Sequence, residues 1–334
     1  MNKQKMKSYF SSSIGYITLS VFLILITCIA LRLGSANLSF KDFIDGLLFK
    51  NEINSLIIYK VRFPRILAAI IAGVGLSISG VLLQSVLDNS LAAPSVIGIN
   101  SGAGFFAVIS LLIGIPSFIL TPVFAFFGAF FTTILVVTLS YIAGDNKSSI
   151  ILAGIAINAI FNALISLLTL INNDLLISYH SFSIGGFIGV EINNLILPCI
   201  IIIICLIISL ILSKNINLLC LGNNTASSLG INVKRTRTIC IILASLTAAS
   251  VVSFAGLLGF IGLIVPHIAR KISGNKTKPL IINSCLIGAI ITITADLLGR
   301  TVFAPSEMPV GIMMAFIGAP FFIILLLKHR GKVQ

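Results

Sequence analysis

The chain has 334 residues, 57% of them hydrophobic and only 9% charged, where a soluble domain carries about 25% charged residues. No water-soluble core absorbs that excess, and the apolar residues run in long blocks instead of alternating, which excludes a membrane β-barrel. Lys and Arg number 22 against nine Asp and Glu, a net charge of +13. The basic residues cluster in short segments between the apolar blocks, a pattern that points to cytoplasmic loops and anionic lipid headgroups rather than to nucleic acid.

Lys3, Lys5 and Lys7 precede an apolar stretch from Ile14 to Leu31. That stretch is longer than a signal-peptide core and lacks a small-x-small cleavage site, so it reads as an uncleaved first span. Further apolar runs predict helices near 66–87, 96–113, 118–143, 150–171, 195–212, 239–256, 280–298 and 310–327. A shorter run near 257–268, set off by Gly256, Gly259, Gly262 and Pro266, brings the count to ten. The fold class is therefore an all-α polytopic membrane protein: a single transmembrane domain over 1–334, with basic tails at 1–13 and 328–334 and a loop at about 214–236. Glycine breaks at membrane depth suit a transporter better than a simple anchor.

Ten spans put both termini on one side. With that side cytoplasmic, 15 of the 22 basic residues lie inside, as the positive-inside rule requires. Six of the remaining seven fall between the first two spans: Arg32, Lys41, Lys50, Lys60, Arg62 and Arg65. A basic cluster on that side is a candidate surface for an acidic partner. Arg62-Phe-Pro-Arg65 before span two and Lys234-Arg-Thr-Arg237 before span seven suggest an inverted repeat of two five-helix units; chance clustering explains them equally well.

No phosphate-binding loop of the G-x-x-x-x-G-K-[ST] type and no H-E-x-x-H or G-x-S-x-G pattern is present, so the chain neither hydrolyses ATP by that mechanism nor carries an evident catalytic constellation. The six cysteines lack C-x-x-C spacing and read as small buried hydrophobes. No metal role is assigned to them or to His267. Ala69, Gly73, Ser77 and Gly80 suit close helix packing. Asn158, Asn162, Ser166 and Thr169 recur at helical spacing on span five. Such a polar stripe faces protein or water, either as the lining of a path or as interhelical hydrogen-bonding groups.

Four ordered segments carry a family resemblance: Arg62-Phe-Pro-Arg65 running into Ala72–Gly80; Asn89–Pro94 with Gly98; Leu221-Gly222 to Leu229-Gly230; and Gly259–Arg270 continuing to Ala295–Arg300, Glu307–Gly311 and Gly318–Phe321. From about residue 55 to 328 the chain resembles the permease subunits of iron-siderophore, haem and cobalamin ABC importers, the type II importers. The resemblance implies ten-helix subunits paired as a homodimer or pseudo-dimer, two cytoplasmic ATPase subunits that bind ATP and Mg, and an extracytoplasmic substrate-binding protein. It implies no cofactor in this chain. The implied cargo is an iron-siderophore complex, with haem and cobalamin as alternatives.

By motif match, Arg62, Arg65 and Arg300 take the family's docking positions, as exposed guanidinium groups meeting acidic residues of the binding protein. The alternative is that Arg62 and Arg65 anchor span two at headgroups and that Arg300 pairs with Asp296 one turn away. Leu221, Gly222, Ala226, Leu229 and Gly230 match the segment that couples to the ATPase, with Leu221, Ala226 and Leu229 as an apolar ridge; a loop lying on lipid is the alternative. Asn223 and Asn224 stand where acidic residues are common. Asn89, Ser90, Leu91 and Ser148 match the cytoplasmic gate, although Ser90 replaces a usual Pro and Ala93 a usual acid, and a plain turn is the alternative. Asn158, Asn162 and Ser166 match the translocation path. The rival class is an ion-coupled secondary carrier using Asp296, the one carboxylate within a span.

Overall fold

In the computed structural model, residues 13–36, 38–113, 117–144 and 146–330 are described. The expected basic tails at 1–13 and 328–334 lie outside the described residues, apart from Ser13 and the backbone of 328–330. In chain order the helices are α1 (Ser13–Arg32), α2 (Phe40–Leu47), α3 (Glu52–Leu56), α4 (Phe63–Leu87), α5 (Ile99–Leu112), α6 (Ser117–Ile142), α7 (Lys147–Ile171), α8 (Asn173–Ile184), α9 (Ile192–Ile211), α10 (Ser213–Leu219), α11 (Asn223–Ser228), α12 (Val233–Ala255), α13 (Ile261–Ser273), α14 (Thr277–Thr301) and α15 (Val310–Arg330). Each of the ten expected spans has its helix: α1, α4, α5, α6, α7, α9, α12, α13, α14 and α15. Among the described residues, seven helical segments are long and apolar enough to cross a membrane, and α5 and Val310–Ile324 are shorter apolar segments.

Beyond the expected spans, the short helices α2, α3, α8 and α10 form in the segments between them. Span two begins earlier, because α3 continues through a π-helical turn (Ile57–Arg62) directly into α4. Pro64 cannot donate to the carbonyl four residues back, and the wider turn, in which the Phe63 N–H donates to Ile58 O, takes up that gap. The stretch after span five, where the apolar runs predict no span, forms α8. Asn172 starts it by accepting from the Asp174 N–H at 3.0 Å, a helix start that apolar counting does not register.

α4 is the central helix and packs on α12, α13 and α14. Small residues make this possible: a Cβ on Gly80 would lie 1.8 Å from Gly262 O, and one on Gly73 would lie 2.4 Å from Gly288 O. The backbones therefore touch where any side chain would separate them. Buried Gln84 adds a polar tie. Pro266 has no N–H for the Gly262 carbonyl, and Gln84 Nε2 donates to that oxygen at 3.3 Å while its Oε1 accepts from Arg270 at 2.6 Å.

Between α12 and α13 the chain is non-helical, and the last turn of α8 and the residues after it bond the backbone at this break. Leu257 N donates to Phe182 O at 3.1 Å and Gly186 N to Ala255 O at 2.8 Å. Irregular backbone at membrane depth is tolerable because protein surrounds and bonds it. Of the cysteines, Cys205, Cys240 and Cys285 are buried, and Cys28 and Cys220 are exposed.

The C-terminus of α1 and the loop before α15 meet at one end of the bundle, which carries Arg62, Arg65 and Arg300. Ser13 and Arg330, at the far ends of α1 and α15, therefore share the opposite end. α4 and α12 run antiparallel there, since Cys220, just before α11, contacts Ser85 O near the end of α4 and Arg237 in the second turn of α12 bonds Asn223.

Candidate functional site

At the arginine end, charges from four parts of the chain converge. Arg62 donates to the carbonyls of Leu31 and Arg32, the last of α1, which lack helical partners and carry partial negative charge, and to Ala36 O in the segment after α1. Arg65 Nε donates to both Asp296 oxygens at 2.9 and 3.1 Å, and its Nη1 pairs with Glu307. Arg300 Nε lies 3.1 Å from Asp296 Oδ2 and its Nη2 donates to Ala30 O at 3.3 Å. Arg62, Arg65 and Arg300 are 2%, 5% and 2% exposed, and Asp296 is 1% exposed. The expectation of exposed guanidinium groups is thus corrected: all three are buried and engaged within the chain. The Arg300–Asp296 pair is present, with Arg65 as its third member. The exposed cations of this end are Arg32, Lys41, Lys50 and Lys60.

Glu307 closes the cluster from the loop between α14 and α15. Burial pushes its carboxyl up, but the Ser35 hydroxyl, Arg65 and Arg300 outweigh burial and hold it below its ordinary value of 4.5. A carboxylate with a lowered folded pKa contributes stability that is fully present above the ordinary value and is lost as pH falls through the lowered one. We therefore expect the melting temperature of the wild-type chain to fall more steeply than that of Glu307→Gln on acidification below pH 4.5. Parallel profiles would remove Glu307 from the cluster's energetics.

The opposite end carries the expected coupling segment as α11, held between Gly222 (φ +104°) and Gly230 (φ +82°). Leu221 and Leu229 are exposed at 60% and 56%, whereas Ala226 is fully buried. The ridge is corrected accordingly: Ala226 faces into the chain and packs the helix down, leaving the two leucines to project. Asn223 Oδ1 accepts from Arg237 Nη2 at 3.0 Å, so the amide that replaces an acidic residue still serves as an acceptor. Ser148 and Lys147, at the start of α7, line an open cleft of about 710 Å³ against Gly222–Thr225.

Asn89, Ser90 and Leu91 form a turn in which Asn89 Oδ1 accepts from the Leu91 N–H at 2.9 Å, an Asx turn. Asp88 just before it has φ +50° and pairs with Lys147 Nζ at 3.3 Å. The two expected gate segments are thus joined within one chain. Lys147, beside Ser148, falls in the second matched gate segment, whereas Asp88 was not among the sequence candidates; its charge, opposite to that of Lys147 and bordering the first matched segment, was the available signal.

The polar stripe of α7 is divided. Asn162 and Ser166 are exposed. Asn158 Nδ2 donates to Ser95 O at 2.9 Å, and Thr169 is 7% exposed, its hydroxyl donating back to Ile165 O at 2.8 Å. Only Asn162 and Ser166 are left facing out of the chain, so four residues at helical spacing do not form one solvent-facing line.

Among the described residues, the bundle of apolar helices carries its charges at the two ends, the pattern of a membrane-integral protein. The FecCD transport family matches residues 22–328. The chain belongs to this family, whose members are transport proteins and not enzymes. The Fe(3+)-citrate import system permease protein YfmE of Bacillus subtilis is 37% identical over 328 residues, 96% of each chain. The hemin transport system permease protein HmuU of Yersinia pestis is 34% identical over 319 residues, covering 92% of this chain and 95% of that one. The solved structure of a metal-chelate type ABC transporter in an inward-facing conformation superposes with a TM-score of 0.85 at 30% identity, covering 94% of this chain and 98% of that one.

Proposed function

We propose that this permease carries a ferric chelate across the cytoplasmic membrane into the cell, driven by a separate ATPase and supplied by a substrate-binding protein. The observation that carries the reading is full-length similarity to permeases of ferric citrate and hemin systems, together with a fold that confines its charges to the two ends. A ferric siderophore is the proposed cargo, with haem, ferric citrate and cobalamin as the competing ones. Two copies pair so that Asn162 and Ser166 line the path, a weakly polar surface that lets a bulky chelate pass without holding it. The termini lie in the cytoplasm, which the basic residues of that end favour: Lys147, Lys214, Lys234, Arg235, Arg237, Arg270, Lys271, Lys276 and Lys278.

In this reading the binding protein docks on the arginine end. Arg62, Arg65 and Arg300 shape that face from beneath and outweigh Asp296 and Glu307 in charge, and the exposed Arg32, Lys41, Lys50 and Lys60 supply contact and steering. The ATPase takes Leu221 and Leu229 of the coupling segment. Asn89, Ser90, Leu91 and Ser148 form the cytoplasmic gate, with the Asp88–Lys147 pair holding its two segments together.

The test is uptake of iron-55 by cells lacking other chelate importers, with cargo presented as a panel of siderophores, citrate and haem, alongside labelled cobalamin. Uptake of a ferric chelate that disappears when this chain is deleted is the expected result. Uptake of cobalamin alone would replace the cargo and keep the transporter class.

A further inference from the structure

Away from the charged ends, α6, α9 and α12 enclose a cavity of about 490 Å³. Two prolines line it: Pro122 of α6 and Pro198 of α9, each inside its helix, where a proline removes the N–H that would bond the carbonyl four residues back. The lining is otherwise apolar, except for Ser250 and Ser253 on α12 and the amides Asn193 and Asn194 at the start of α9. No charged side chain takes part. The hydroxyls donate to their own helix, Ser250 to Leu246 O at 2.7 Å and Ser253 to Ser250 O at 2.8 Å, so neither has a hydrogen left to give to water.

We propose that this cavity holds one acyl chain of a membrane glycerolipid from the leaflet at the arginine end. Three observations converge on that occupant. The mouth opens between helix faces that are exposed and apolar, with Val123 and Phe127 on one side and Leu197 and Ile200 on the other, so the surface around it is continuous with the lipid-facing surface of the bundle. Along α9 the lining runs from Asn193 to Ile201, about 12 Å at 1.5 Å per residue, close to the roughly 15 Å of one leaflet's hydrocarbon. The polar groups sit at the leaflet-surface end of this run. Asn193 and Asn194 are exposed there, placed to bond ester or glycerol oxygens. Exposed Glu191, the residue before α9, adds negative charge near the mouth and disfavours an anionic headgroup. A hydrocarbon chain lying against this apolar lining gains dispersion contacts along its length.

The chain contains no tryptophan, which gives a direct test. Phe254→Trp on the α12 wall and Phe126→Trp on the α6 wall each place the sole indole at the cavity, and Ile203→Trp places it on the outer lipid-facing side of α9. The full chain is reconstituted in bilayers with increasing fractions of phosphatidylethanolamine or phosphatidylglycerol brominated along one acyl chain. We expect both cavity indoles to be quenched, reaching half of their maximal loss at a lower brominated fraction than Ile203→Trp, and at a lower fraction of the ethanolamine lipid than of the glycerol lipid. Adding Ser253→Phe, which fills the cavity, should remove the preferential quenching of Phe126→Trp at low brominated fractions. Cavity indoles that stay bright while Ile203→Trp is quenched would overturn the proposal, showing the hole closed to lipid by a second copy or by the chain itself. Equal half-points for all three positions would also overturn it, since ordinary boundary lipid would then explain the quenching. An equal response to the two headgroups would overturn the selectivity assigned to Glu191.

Discussion

Asp296→Asn is expected to destabilise the folded permease by about 3–5 kcal/mol, the cost of leaving buried charge without its counterion. The carboxylate is 1% exposed and is shared by Arg65 and Arg300. Asparagine keeps the shape and one acceptor but leaves two guanidinium groups with Glu307 as the remaining carboxylate of the cluster. The damage spreads because Arg65 ties α4 to α14 and to Glu307, while Arg300 ties α14 to the end of α1. Pairing Asp296→Asn with Arg300→Met removes a surplus charge as well and should recover part of the loss. The measurement is thermal unfolding in detergent, followed by uptake of any variant that folds. Because the carboxylate's role is structural, the folded fraction should still transport. A melting temperature equal to wild type would show that the cluster carries no stability.

Leu229→Asp is expected to abolish copurification with the ATPase and all uptake, while membrane insertion and the melting temperature stay near wild type. Leu229 is 56% exposed at the end of α11, so the chain alone tolerates a carboxylate there. Against the proposed ATPase partner, by contrast, it would be buried without a counterion, at several kcal/mol. Ala226→Asp is the contrasting variant: Ala226 is fully buried, so it should lose the fold first. If Leu229→Asp still copurified with its ATPase, α11 would be an interfacial segment lying on lipid.

The ten spans are legible in the sequence because hydropathy and glycine or proline breaks are local signals. The short α13 is found from Gly256, Gly262 and Pro266, and the tight packing of α4 from Gly73 and Gly80. What escapes is non-local. Asp296 and Arg300 are visibly one turn apart, but Arg65, 231 positions away, is not visibly their partner, and for that reason the three arginines read as exposed. Ala226 escapes for a related reason: in a helix of six residues, one face packs on the chain and the other is free, and composition does not say which. α8 escapes because Ser178, Tyr179, His180 and Ser181 break any apolar run while leaving helical geometry intact.

The central claim is that transport is powered by ATP through a separate subunit and not by an ion gradient through Asp296. Its most direct test is uptake of a ferric siderophore into proteoliposomes containing this chain with its ATPase, loaded with or without ATP and Mg, and given the substrate-binding protein outside. The account predicts uptake that requires internal ATP and persists when the proton and sodium gradients are collapsed. Uptake without ATP that follows an imposed gradient, and that Asp296→Asn eliminates in correctly folded protein, would contradict it.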